Sequence, residues 1–260
     1  MVRMTEPPPA VLRAARALGL DPARLHPLGG ASAATWGAGG RVLRVGPGDR
    51  MTAELAAASA AAVVLPVPAV LDRAEVHGDL AVLLERRPGR PVADVVGQDP
   101  GVARAAGAAC AAVHQTLAAV AAPPGVPAVR DAPAGLAAAD RPRLLHLDLH
   151  PFNLLVSDDG RLTGVLDWAN AAAGHPDLDR ARTWALLTLD PAAVARRGEP
   201  GFAAVADAWI TGGRLARTPP AARAWACRYM LDDLGRRYAP AALAHIRAVY
   251  ERLRHRTAST

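Results

Sequence analysis

The stretch from His146 to Trp168, HLDLHPFNLLVSDDGRLTGVLDW, limits the folds open to this chain more than any other segment. Two β-prone runs, Leu154-Leu155-Val156 and residues 162–166, flank Ser157-Asp158-Asp159-Gly160. Asp-Gly between such runs is a strong hairpin signal. An antiparallel hairpin sets the residue before its first strand beside the residue after its second. Asn153 and Asp167, fourteen positions apart, are therefore predicted to meet. An amide oxygen and a carboxylate on neighbouring strand ends suit a hard cation such as Mg²⁺, which takes oxygen ligands and commonly shares them with phosphates. Asp148, on the loop just upstream, can face whatever that metal holds. The arrangement implies a magnesium-dependent phosphoryl-transfer site.

Each of these residues has an ordinary structural alternative: Asp148 could cap a loop, and Asp167 could cap the turn that follows it. Taken together they form H-x-D-x-x-x-x-N followed by Asp after a short hairpin, a pattern that resembles the catalytic core of the protein-kinase-like superfamily. HLDLHPFNLLV and VLDWANAAAGHPDLDRA are similar to the aminoglycoside phosphotransferase and choline kinase branch, which phosphorylates small molecules. His150 and Trp168 sharpen the likeness, because that branch usually has His and Trp where protein kinases have Lys and Phe.

The resemblance implies a two-lobed, kinase-like α+β fold, with a β-rich nucleotide-covering lobe over residues 1–87 and a mostly helical catalytic and acceptor-binding lobe over 88–260. It implies Asp148 as the group that aims and deprotonates an acceptor hydroxyl, His150 as a contact to the transferring phosphoryl group, and Asn153 and Asp167 as Mg²⁺ ligands. ATP, or GTP, would be the donor and a small hydroxylated molecule the acceptor. His146 would brace the loop. Asp179 would support it through backbone contacts; His175 replaces the first Asp of the family's G-D-P-x-x-D segment. The backbone near Glu85 and Arg86 would meet the adenine edge. Gly30 and Ser32, in a Gly- and Ser-containing turn, could fold over phosphates because glycine lets backbone N–H groups approach closely.

All 30 basic residues are arginine, so the strand lysine that holds phosphates in protein kinases has no counterpart of its own type. Arg44 in RVLRV takes that position, with Glu54 as its matching partner. Guanidinium binds phosphate and carboxylate through a planar fork, so this replacement is not neutral.

The chain is long enough, at 260 residues, for one domain or two lobes. Aromatics are 4% of it, so Ala, Leu and Val must fill the core. The net charge of +6 is spread along the chain and favours an anionic nucleotide without forming a nucleic-acid-binding stripe. Cys110 and Cys227 are expected to be free buried thiols rather than a disulfide. The eight histidines form no zinc pattern. Neither uncharged stretch, 55–71 or 105–129, suits a membrane span, and no signal peptide is apparent, so the expected setting is cytoplasmic, as monomer or homodimer.

Helices are predicted over 9–20, 51–62 and 101–121, and strands over 41–45 and 80–84, with Pro66 to Leu71 as the approach to another. His114 reads as a packed core residue. Residues 122–139 read as loop with at most one short helix, and the chain after Asp179 as helical. The acceptor should contact the C-terminal helices, where Asp207, Trp209, Trp225, Tyr229, Asp232 and Asp233 are candidates; Asp232-Asp233 alone is thin support for a polycationic acceptor. Two other outcomes fit the same motif: a nucleotide-binding pseudokinase that transfers nothing, and a kinase-like enzyme modifying a protein.

Overall fold

A computed structural model of the chain describes residues 6–28, 35–95, 97, 99–136 and 141–258. The first part is helix α1 (Pro9–Ala17) packed on an antiparallel sheet of β1 (Leu25–Pro27), β2 (Thr35–Ala38), β3 (Arg41–Pro47), β4 (Val70–Val76) and β5 (Asp79–Glu85), in the order β1-β2-β3-β5-β4. Val11, Ala14 and Leu18 of the helix side bury against Trp36, Leu43, Val45 and Leu83. Helix α1 ends earlier than predicted, because Gly19 turns the chain in the left-handed region at φ +64°.

Helix α2 (Gly48–Ala62) connects β3 to β4. It starts three residues before the predicted Met51. Strand pairing begins at Val70 rather than near Pro66, since Pro66 and Pro68 have no N–H to give a ladder. The Pro66 carbonyl instead accepts the N–H of Val165 at 3.0 Å, tying this connector to the later hairpin.

After the sheet come β6 (Arg90–Pro91), α3 (Val92–Val95) and α4 (Pro100–Leu117). Asp99 caps α4, accepting from Gly101 N–H at 2.7 Å. The helix stops at Leu117, and Ala121 then forms a bridge with Arg143. Between Ala121 and Arg143, a short 3₁₀ turn at Ala134–Leu136 is the helical element among the described residues. Then follow β7 (Arg143–Leu145), β8 (Leu154–Val156), β9 (Leu162–Val165) and β10 (Ala172–Gly174). β6 pairs with β8, β8 with β9, and β7 with β10, all antiparallel. The Asp-Gly turn forms as expected, with Ser157 N–H donating to Arg161 O at 2.9 Å. Gly160 has φ +82°, and a Cβ there would lie 2.9 Å from both Val102 O and Ala106 N, so the turn seats directly on α4.

The remainder is helical: α5 (Pro176–Thr188), α6 (Pro191–Arg196), α7 (Pro200–Gly212), α8 (Pro220–Leu234) and α9 (Ala244–Ala258). α4 and α7 pack around Cys110, Leu117, Val205 and Trp209, while α5, α8 and α9 share Leu178, Trp225, Met230 and Ile246. Both cysteines are free and buried, and burial pushes each thiol well above its ordinary pKa. Among the described residues, no helix is long and apolar enough to cross a membrane.

Candidate active site

The loop between β7 and β8 is held by a carboxylate from α5. Asp179 Oδ1 accepts the backbone N–H of Leu147 at 2.7 Å and that of His146 at 3.1 Å. Leu147 sits at φ +61°, a conformation a branched side chain avoids unless its surroundings impose it. Asp179 is buried, and burial alone would raise its pKa. His114, with Nδ1 3.3 Å from Oδ2, and the Leu147 N–H outweigh that and keep it ionised. His114 itself is 2% exposed, packed against Trp209 and remote from solvent, as a core residue should be.

His146 braces the same loop. Its ring lies 4.6 Å from that of Trp168, its Nδ1 accepts the Asp148 N–H at 3.3 Å, and its Nε2 is 2.9 Å from Leu166 O. Burial lowers its pKa, so the ring is neutral, with Nε2–H donating to the carbonyl.

With its N–H so placed, Asp148 turns its carboxylate into the cavity. The Asn153 amide Nδ2 donates to Asp148 O at 2.9 Å and to Oδ2 at 3.3 Å. His150 Nε2 stands 3.7 Å from the same Oδ2. Burial pushes the Asp148 pKa up, but His150 and the charge of Arg182 reverse this and hold it below the usual carboxylate range.

The hairpin does bring Asn153 and Asp167 together: Leu154 pairs with Val165, and Leu166 N–H donates to Asn153 O at 2.8 Å. Because Nδ2 of Asn153 is committed to Asp148, its Oδ1 is the end left for a cation. Asp167 precedes a 3₁₀ turn at Trp168–Asn170 yet makes no capping hydrogen bond, and it lies at φ +59°. Its carboxylate is thus not spent on local structure. Arg44 Nη2 reaches Oδ1 of Asp167 at 3.4 Å, and Nη1 donates to Glu54 Oε1. One guanidinium therefore joins β3, α2 and the segment just after β9. Glu54 is buried, which raises its pKa against the pull of Arg44.

A cavity of about 650 Å³ is lined by Arg44, Glu54, Asp148, His150, Asp167 and Arg182. A second, of about 660 Å³, shares Arg50, Asn170 and Asp233 with it and includes Trp225, Tyr229 and Asp232. The other predicted positions fall differently. Gly30 and Ser32 lie outside the described residues. Glu85 and Arg86 line neither cavity; their N–H groups donate to Ala69 O and Gly40 O, and Glu85 pairs with Arg87 at 3.2 Å. Trp209 is fully buried between α4 and α7, and exposed Asp207 lines neither cavity, so the acceptor candidates narrow to α8. Arg182 was not anticipated. The signal was present in the sequence as a charged pair, Asp179 and Arg182, one turn apart on a face otherwise made of Leu178, Ala181 and Ala185.

The model of the phosphotransferase enzyme family matches residues 24–134 and 127–225. A comparison with functionally curated proteins finds no match. Among solved structures, the streptomycin–ATP complex of APH(2")-IIa aligns with a TM-score of 0.60 at 13% identity, covering 94% of this chain and 97% of that one. ADP-bound APH(2'')-Ib gives 0.54 at 14% identity over 88% and 91%. APH(3'')-Id from Streptomyces rimosus, with ADP and streptomycin, gives 0.52 at 17% over 82% and 97%. The fold is that of these kinase-like proteins, and the chain belongs to the phosphotransferase enzyme family.

Proposed function

We propose that the protein transfers the γ-phosphate of ATP, or of GTP, to a hydroxyl of a small molecule, with Mg²⁺. The observation that carries this reading is that Asp148 and Asp167 line one cavity, with Asn153 hydrogen-bonded to Asp148, Asp167 free of any capping role and Arg44 beside it. The donor set fits magnesium. Among the described residues no three-carboxylate or histidine cluster offers a complete cage, whereas two oxygen ligands, Asn153 Oδ1 and the Asp167 carboxylate, suit an ion that keeps waters and phosphates as its other ligands. When bound, the ion would neutralise charge on the β- and γ-phosphates.

The chain's own groups then have separate tasks. Arg44, anchored by Glu54, offers a fixed fork to the phosphates. Oδ2 of Asp148 is held by Asn153, leaving Oδ1 for the acceptor hydroxyl. The hydroxyl oxygen bonds to the γ-phosphorus, the bond from that phosphorus to its bridging oxygen breaks, and the proton passes to Asp148. A carboxylate with a depressed pKa is a weak base, so Asp148 contributes chiefly by aiming the hydroxyl, in keeping with a loose transition state. His150 would donate to the transferring group. The nucleotide-covering lobe would end near residue 87, and the working location would be the cytoplasm, where nucleotide is abundant.

The test is a thermal shift with ATP or GTP, with and without Mg²⁺, on wild type and Asp167→Ala, joined to an assay of ADP or GDP release. A nucleotide at a hundred times its Kd should stabilise wild type by about 2.7 kcal/mol. Removing Mg²⁺ with a chelator, or Asp167→Ala, should abolish the shift. Wild type that shows no nucleotide-dependent shift would defeat this reading; binding without turnover of any acceptor would favour a pseudokinase.

A further inference from the structure

The wall of the cavity beyond Asp148 is built around a buried cation. Arg182, on α5, is 2% exposed. Its guanidinium lies 4.7 Å above the ring centre of Tyr229. Nη2 is 3.6 Å from Asp233 Oδ2, too long for a hydrogen bond, and among the described residues Nε and Nη1 have no hydrogen-bond partner. Asp233 cannot answer this charge alone, because its Oδ2 also accepts from Arg237 at 3.2 Å. Buried charges are ordinarily paired and fully hydrogen-bonded. Arg182 has only a long ion pair to an Asp233 that it shares with Arg237, it is not fully hydrogen-bonded among the described residues, and it lines the cavity that contains Asp148.

The first cavity as a whole carries five arginines and five carboxylates, but the wall beside Arg182 has positive charge in excess. Across the two cavities α5, α8 and the turn that follows α8 carry Arg182, Arg228, Arg236 and Arg237 against Asp232 and Asp233. At this end of the cavity such a wall favours an anionic group over a cationic one. Arg182 touches α8 rather than the Arg44–Glu54 pair, so it belongs to a different wall from the residues assigned to nucleotide phosphates. Burial and the nearby Asp148 keep the Tyr229 phenol protonated despite Arg182, so it remains a donor beside the guanidinium.

We propose that the acceptor is a small hydroxylated anion, a hydroxy acid or sugar acid, whose carboxylate meets Arg182 while its hydroxyl meets Asp148. This rests on the phosphotransferase reading above. The hydroxyl oxygen takes the γ-phosphoryl group, its proton goes to Asp148, the nucleoside diphosphate leaves, and the carboxylate is unchanged.

The probes are D-glycerate and gluconate, set against their uncharged counterparts glycerol and glucose and the polycation kanamycin. ADP release is measured for wild type, Arg182→Gln and Arg182→Lys, with thermal shifts for Mg·ATP and for each acid in the presence of Mg·ADP. At least one acid should be used with kcat/KM ten or more times that of its neutral counterpart. Arg182→Gln should lose that preference through KM while its Mg·ATP shift is retained, and Arg182→Lys should fall between. Arg182→Lys keeps the charge and serves if the glutamine variant fails to fold. A preference for glycerol, glucose or kanamycin would overturn the proposal. So would a Mg·ATP shift in wild type with no binding or turnover of either acid. Loss of the Mg·ATP shift in Arg182→Gln would place a nucleotide phosphate on the guanidinium instead. If wild type shows no Mg·ATP shift, the phosphotransferase reading fails; acid binding that depends on Arg182 would still stand, and its absence would end both.

Discussion

Asp179 holds Leu147 in a left-handed backbone conformation through a 2.7 Å hydrogen bond from the Leu147 N–H, across 32 positions of sequence. The same carboxylate oxygen accepts the His146 N–H, so the loop carrying Asp148 is shaped by a helix that follows it. Asp179→Ala would strand two backbone donors and remove the partner of His114 in a dry interior. Losing one member of such a buried group typically costs about 3–5 kcal/mol. Urea unfolding should show a loss in that range, and ADP release should fall with it. A loss below about 1 kcal/mol would mean the loop holds its shape unaided.

Gly160 tests the hairpin without touching the site. Ala at this position would need φ near +82° and would press its Cβ on Val102 O and Ala106 N of α4. Strain in the turn together with overpacking should cost about 2–4 kcal/mol. Thermal unfolding of Gly160→Ala should show the loss. If nucleotide binding in the surviving folded protein also weakens, the turn positions Asp167.

Acid should weaken the fold in two stages. The neutral His146 has a folded pKa below the unfolded value of about 6.5, so its contribution is complete above that pH and is lost as pH falls toward the folded pKa. Asp179 is also depressed, from an unfolded value of about 3.9; its contribution is present above that value and is lost only as pH falls through the lower folded pKa. Urea midpoints at pH 7.5, 5.5 and 3.5 should therefore decline in order. His146→Gln should flatten the upper step, and Asp179→Asn the lower.

Arg44→Lys separates charge from geometry. Lysine can approach one carboxylate as a point charge but cannot reproduce the fork that joins Glu54 to Asp167. The KM for ATP should rise about tenfold, equivalent to about 1.4 kcal/mol. A double-mutant cycle with Glu54→Gln should show coupling of about 0.5–3 kcal/mol. Additive effects would mean that the pair acts as two separate groups.

Asp148→Asn should keep the Mg·ATP thermal shift and lower kcat by a factor of about 10²–10⁴. Full activity in this variant would show that another group aims the hydroxyl.

What could be read from sequence was local. The Asp-Gly turn needs only its own residues and β-prone neighbours to form, so the meeting of Asn153 with Asp167 followed from pairing geometry alone. The pattern from His146 to Trp168 likewise marked the family, and the prolines at 66 and 68 displaced a strand start for a reason visible in their chemistry. Helix ends were less legible: α1 stops where Gly19 turns, and α4 where Ala121 is drawn into a bridge with Arg143. The tertiary structure decided which charges are buried and which are answered. It tied Arg44 to Asp167 over 123 positions, carried Asp207 and Trp209 away from the cavities, and set Arg182 on Tyr229 with too few partners. Periodicity can place a charged side chain on a helix face, but the cost of burying that charge, and the ligand that would relieve it, depend on groups that only packing brings near.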